Sequence, residues 1–196
     1  MRSRTIVTGA FVVLCAAVIA NAQAPAPAGS TEIVVANPAY TSIVMEVTVN
    51  RPADEVWKRV GKYCDISEWL RIQCTISSGK DGEVGAVRSL GTITEILVGK
   101  TDLSYSYTQP VRAGRPYNLY HGTIEARPIS STTSKLVYTL MYDNSMLADD
   151  AARERDKTQR RTQFTQALEN MKVLAEGGTL PPAPARGGAP RGGRGQ

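Results

Sequence analysis

Residues Thr41 to Gly61 read TSIVMEVTVNRPADEVWKRVG, and two structural periods meet inside them. Ile43, Met45, Val47 and Val49 alternate with Val44, Glu46 and Thr48, the period-two pattern of a strand with one buried face. After Pro52, a residue suited to a first helical turn, the period changes. Ala53, Val56, Trp57 and Val60 fall at i, i+3, i+4 and i+7, Asp54 and Glu55 sit where the helix dipole favours acids, and Gly61 closes the stripe. A strand handing over at once to a short packing helix predicts an α+β domain.

Working outward towards the C-terminus, a second helical turn is predicted over Ile66 to Leu70, with Asp65 or Ser67 available as its cap. Beyond Cys74 the turn signals at Ser78 to Gly82, Gly91, Gly99 to Asp102, Pro110 to Pro116 and Pro128 to Thr133 cut the chain into strand-sized pieces. Those pieces are Thr75 to Ser77, Val84 to Leu90, Thr92 to Val98, Leu103 to Thr108, Leu119 to Arg127 and Lys135 to Tyr142, and their short connections predict antiparallel pairing of neighbours. A last element runs from near Ser145 to Gly177-Gly178, a helix of about 30 residues against a usual 11 to 12. Its second half carries Phe164, Leu168, Met171 and Val173 to Ala175, so that half has to lie against something large. The charged stretch Arg153 to Arg161 reads as a solvated helix face.

One strand, two short helices, six strands and one long helix is the order of the helix-grip fold. The segments VTVNRPADEVW (Val47 to Trp57), CDISEWL (Cys64 to Leu70), GKDGEVGAVRSL (Gly79 to Leu90), EIL (Glu95 to Leu97), LSYSY (Leu103 to Tyr107) and LYHGTIEARP (Leu119 to Pro128) resemble the polyketide cyclase/dehydrase and lipid-transport branch of the START-like SRPBCC superfamily. The resemblance covers about Thr41 to Glu176. It implies an antiparallel sheet of about seven strands wrapped round the long C-terminal helix, with a cavity between them for a small hydrophobic ligand such as a lipid, isoprenoid or polyketide-like compound. It also leaves room for a cofactor-free cyclase or dehydratase acting on such a ligand. A solid-cored module that binds envelope partners is a third possibility.

If the sheet curves round the helix, strand alternation proposes a lining. Leu103, Tyr105 and Tyr107 share one face; Tyr120, Gly122 and Ile124 share another, as do Leu136, Tyr138, Leu140 and Tyr142. A tyrosine there either fixes a ligand through its hydroxyl or packs across strands, and packing is the expectation for Tyr138 and Tyr142. The candidate ligand-binding residues are Tyr105, Tyr107, Tyr120 and Tyr138, with Phe164 and Leu168 from the helix and the charged residues Arg88 and Glu95. Arg88 and Glu95 could pair inside the cavity, but the commoner arrangement, a surface cross-strand pair, is expected. His121, the one histidine, is expected to face away from Tyr120 and outward. Nucleophile-elbow, phosphate-loop and metal-spacing motifs are missing, so no catalytic residue is assigned and neither a cofactor nor a metal is expected.

The two ends read differently from this middle. Arg2 and Arg4 precede an uncharged, mostly apolar run from Ile6 to Ala20, and Ala20-Asn21-Ala22 has the form of a signal-peptidase site. The expected layout is a leader over 1–22, a linker over 23–40, the domain over 41–178 and a disordered Pro/Gly/Arg tail over 179–196, in an exported, periplasmic or secreted protein. Without the leader the cysteines are Cys64 and Cys74, most simply one disulfide in an oxidising compartment, the alternatives being a redox pair or part of a metal site. Of the 23 Lys and Arg behind the net charge of +5, two fall in the leader and three in the tail, which leaves 18 against 18 Asp and Glu. A chain neutral between its ends presents no electrostatic surface for nucleic acid, and none of it would stay in a membrane after cleavage. Protein partners are not specified.

Overall fold

In the computed structural model, which describes residues 37–182, the period-two stretch is strand β1 (Tyr40–Val49) and the apolar stripe is helix α1 (Ala53–Val60). There follow α2 (Ile66–Trp69), β2 (Thr75–Ser78), β3 (Val87–Leu90), β4 (Ile93–Thr101), β5 (Ser104–Thr108), β6 (Asn118–Pro128), β7 (Ser134–Asp143) and α3 (Asp150–Ala175). The leader, most of the linker and most of the tail lie outside the described residues. All seven strands form one antiparallel sheet in the order β1-β7-β6-β5-β4-β3-β2, so β1 leaves its sequence neighbours and pairs with β7, from Tyr40 opposite Asp143 to Val49 opposite Ser134. This is the helix-grip α+β architecture. Helix α3 packs on β1 and β7 and against α1, burying Phe164, Ala167, Leu168, Met171 and Leu174, all in the half that the sequence marks as apolar. Among the described residues no helix is long and apolar enough to cross a membrane.

Four boundaries move for local reasons. Helix α3 starts at Asp150 and not near Ser145, because the Asp143 carboxylate accepts from the backbone N–H groups of Ala39 (2.8 Å) and Ser145 (3.0 Å) and holds that stretch as a turn. Asp149 then caps the helix by accepting from Ala152 N–H at 2.7 Å. At the far end Gly177 adopts φ 87°, which lets the N–H groups of Gly177 and Gly178 turn back to the carbonyls of Leu174 and Val173, the glycine cap expected there. Strand β4 runs through the expected turn at Gly99 to Thr101, since a bulge between Leu97 and Gly99 keeps Lys100 opposite Tyr105 and Thr101 opposite Ser104. Leu103 therefore lies in the turn before β5, and β3 begins at Val87 because the chain from Glu83 to Ala86 is still turning.

Cys64 and Cys74 are joined, with Cα atoms 5.6 Å apart, so the segment leading into α2 is stapled to the start of β2. Closing so short a loop contributes about 2 to 3 kcal/mol.

Gly122 shows how tightly the sheet face is filled. It lies opposite Tyr107, and a methyl added there would overlap the Tyr107 ring. Gly122→Ala is expected to destabilise the domain by about 1 to 3 kcal/mol through forced displacement of that ring. Urea unfolding followed by circular dichroism measures it; an unchanged midpoint would mean that the ring does not lie across the glycine.

Candidate ligand-binding site

The inward positions of β5, β6 and β7 carry a continuous layer of phenols. Tyr105, Tyr107, Tyr120, Tyr138 and Tyr142 are all buried, as alternation requires of side chains that share the inward face of these strands. Tyr107 reaches over Gly122 to Tyr138, and the two hydroxyls share a 2.6 Å hydrogen bond. The Tyr138 ring meets Phe164 edge-on at 4.8 Å and Trp69 at 6.4 Å, with Leu168 buried in the same core. Packing is thus the role Tyr138 plays, as expected, and side chains occupy the space between β7 and the apolar half of α3. Tyr142 is also packed, with its hydroxyl donating to Asp156 at 2.7 Å.

Arg88 and Glu95 correct the expectation of a surface pair. They sit opposite one another on β3 and β4 at 0% and 3% exposure. Parity explains this: Arg88 shares its face with Leu90, and Glu95 with Leu97. Arg88 Nε and Nη2 donate to Glu95 Oε2 at 2.8 and 2.6 Å, and Nη1 donates to the Tyr63 carbonyl. The other Glu95 oxygen accepts from Gln109 Nε2 at 2.9 Å, and Gln109 Oε1 accepts from the Tyr117 hydroxyl at 2.7 Å. The guanidinium carbon lies 4.1 Å from the Tyr63 ring centre and 5.0 Å from that of Tyr107. A buried pair survives in a fold only when its remaining lone pairs and protons are met in this way.

A second arginine is also drawn inward. Arg160 pairs with Asp156 at 3.0 Å and lies over the rings of Tyr142 (4.6 Å), Tyr117 (4.7 Å) and Tyr120 (5.4 Å). The charged half of α3 is therefore not wholly a solvated face. Asp156, Arg160, Phe164 and Leu168 recur every four residues and form one stripe towards the sheet.

Burial pushes the hydroxyls of Tyr63, Tyr105, Tyr107, Tyr120, Tyr138 and Tyr142 above the ordinary phenol range, so at neutral pH these groups are neutral. For Tyr105 and Tyr63 the charge of Arg88 works the other way and loses. His121 pairs across to Thr108 and Met141 on the face away from Tyr120, as expected, and partial burial lowers its pKa.

Open space beside the phenol layer is found at the ends of the sheet. Two open hollows lie elsewhere on the surface, one of about 440 Å³ between Arg59, Glu68, Arg71 and Leu174 and one of about 530 Å³ along Ala151, Glu154 and Thr158 of α3. At the end that carries α1, a half-open cavity of about 460 Å³ is walled by Trp57, Tyr63, Leu97 and Tyr105, with Lys62, Asp81, Lys100 and Asp102 round its mouth. At the opposite end the loops at Ile93 and Pro110 to Leu119 leave a slot of only about 10 Å³ above Tyr120. Of the residues singled out in the sequence, Arg88, Glu95, Tyr105 and Tyr107 are thus brought together and Tyr105 reaches open space. Tyr138, Phe164 and Leu168 lie deeper, and Tyr120 turns to the Arg160 end. Sequence reasoning missed Trp57, Tyr63, Gln109, Tyr117, Asp156 and Arg160. Among the described residues no group of three or more His, Cys, Asp or Glu side chains could hold a metal ion.

A family model described as polyketide cyclase/dehydrase and lipid transport matches residues 40–176. No curated protein matches in sequence. Among solved structures, a Thermobifida fusca protein determined by NMR is similar at a TM-score of 0.59 and 22% identity, over 71% of this chain and 97% of that one. The Zhui aromatase/cyclase from Streptomyces sp. R1128 is similar at 0.53 and 18%, over 72% of this chain and 100% of that one. Truncated norcoclaurine synthase from Thalictrum flavum is similar at 0.55 and 14%, over 72% and 96%. At these identities the likeness is one of fold.

Proposed function

The chain belongs to the polyketide cyclase/dehydrase and lipid transport family, and we propose that within it this protein is an exported carrier, holding a small hydrophobic molecule against its tyrosine-rich inner face without changing it. The observation that supports this reading is the aromatic cavity of about 460 Å³, a size usual for small-ligand sites, which opens directly onto Tyr105 of that face. Carriage is favoured over turnover by how the ionisable groups are spent. The buried phenols are neutral and so poor bases, and the two oxygens of Glu95 are held by Arg88 and Gln109. A cyclase or dehydratase would have to free Glu95 from these partners or draw on the Asp81 or Asp102 carboxylate at the mouth of the cavity. Export rests on the leader-like run over 1–22 and on a disulfide that persists in an oxidising compartment.

Purification from the source compartment followed by native mass spectrometry tests the proposal. The expected result is a mass that starts near Gln23 and a second species carrying one hydrophobic molecule of unchanged structure. A protein recovered empty would sink the carrier reading. Recovery with residues 1–22 still attached would sink the export reading.

A further inference from the structure

At the end of the sheet away from α1, the loop between β5 and β6 meets the turn between β3 and β4 through two arginines. Arg112 Nη1 and Arg115 Nη2 donate to the same oxygen, the Thr92 carbonyl, at 2.6 and 3.0 Å. The two guanidinium groups are therefore no further apart than those two bonds allow. Local structure holds them so. Arg112 and Arg115 are the first and last residues of a turn closed by the Arg115 N–H on the Arg112 carbonyl, and Gly114, its third residue, has φ 79°. Pro110 and Pro116 bracket that turn and limit its backbone freedom.

Nothing neutralises the pair. Among the described residues neither guanidinium has a carboxylate within ion-pair distance. The slot above Tyr120 that both arginines line has no acidic residue in its walls. The acids its neighbours reach are already taken, Glu95 by Arg88 and Gln109, and Asp156 by Arg160 and Tyr142. The cavity mouth at the α1 end is different, with two lysines set against two aspartates. Like charges held this close repel, and a neutral carbonyl does not offset that. Both groups are also within reach of a ligand. Arg112 is exposed, Arg115 is half-buried, and no unbonded nitrogen of Arg115 is closed off from solvent.

We propose that Arg112 and Arg115 form a binding site for a phosphomonoester. The Thr92 oxygen marks a point that both guanidinium groups reach at once, and a phosphoryl oxygen set beside it can be shared in the same way. Each guanidinium carries five N–H donors and uses one on Thr92, which leaves a fork free on each side of the ligand. Three terminal oxygens can serve two forks, whereas a carboxylate has only two to offer. The group is either the headgroup of an anionic lipid or a free organic phosphate, since the chemistry is the same. The site lies away from the aromatic cavity and does not depend on the carrier reading.

Two probes test it on the purified full chain: phosphatidylcholine vesicles with and without phosphatidic acid, read by co-sedimentation, and soluble glycerol phosphate, read by calorimetry. The chain is expected to bind the vesicles that hold phosphatidic acid and not those of phosphatidylcholine alone. The double variant Arg112→Lys with Arg115→Lys should bind about tenfold more weakly or worse, because it keeps both charges and loses both forks. It thereby separates a built site from charge alone, including the charge of Arg186, Arg191 and Arg194. Arg112→Lys alone, at the more exposed position, should give part of that loss, with the melting temperature unchanged. A saturable heat with glycerol phosphate that the double variant lacks assigns a free phosphate as the ligand. Vesicle binding without that heat assigns the lipid headgroup. Failure of both probes would overturn the site, and so would a double variant that binds as the parent does.

Discussion

Alkali is expected to unfold the domain cooperatively between about pH 10 and 11.5, because six phenols on or beside its inner face are held protonated by burial. A phenol raised in the folded state binds its proton where the unfolded chain has lost it. Above a pH of about 10 the unfolded state therefore carries fewer protons than the native one, and stability falls as pH rises, by about 1.4 kcal/mol per pH unit for each such group. Below that pH the contribution is fully present. A domain with a usual stability of about 5 to 15 kcal/mol cannot absorb several of these slopes together for long. Tyrosinate absorbance and far-ultraviolet circular dichroism, followed on one titration, provide the check. The phenolate signal of these residues should appear in a step that coincides with loss of the dichroism, and both should revert on prompt return to neutral pH. Smooth ionisation near pH 10 with the dichroism intact would show that water already reaches the inner face. The tyrosines would then line a wet pocket and not a dry layer.

Such dryness could be read from the sequence only in part. Alternation placed Tyr105, Tyr107, Tyr120 and Tyr138 on common faces and His121 away from Tyr120, because strand parity leaves a side chain two directions to choose between. The same parity pointed Arg88 and Glu95 inward beside Leu90 and Leu97, but the frequency of surface ion pairs outweighed it, and here parity was the better guide. Arg160 was hidden for a related reason. Charge density over Arg153 to Arg161 suggested a solvated face, although four-residue spacing from Asp156 through Arg160 to Phe164 already marked a stripe. Tyr63 left no such trace. It lies in the link between α1 and α2, outside any period, and its place is fixed by a disulfide and by an arginine 25 residues further along. A cavity has no sequence pattern either, since it depends on how the ends of α1, β4 and β5 meet in space.

Arg88 is where stability and the cavity meet, and Arg88→Met is expected to be the most damaging single substitution, costing about 3 to 5 kcal/mol by stranding the Glu95 carboxylate in a dry interior. Arg88→Lys should rescue little of it. One ammonium cannot reproduce a fork that grips Glu95 through Nε and Nη2 while Nη1 holds the Tyr63 carbonyl. The double variant Arg88→Met with Glu95→Leu separates two explanations for the pair. If the charges persist for their net attraction, the double variant stays as unstable as Arg88→Met, because the attraction is gone in both. If the single loss is chiefly the penalty of an unpaired buried charge, the double variant recovers most of the stability in urea, as buried pairs replaced by apolar residues commonly do. The second outcome is the expected one, and it would leave the pair without a stabilising reason to exist. Its remaining role would be geometric, since Arg88 is the group that holds the Tyr63 backbone and lies under the Tyr63 ring at the cavity wall. A double variant as stable as the parent should then show an altered near-ultraviolet circular dichroism as the Tyr63 ring loses its support, and one that keeps both stability and that signal would show that Arg88 does not position Tyr63.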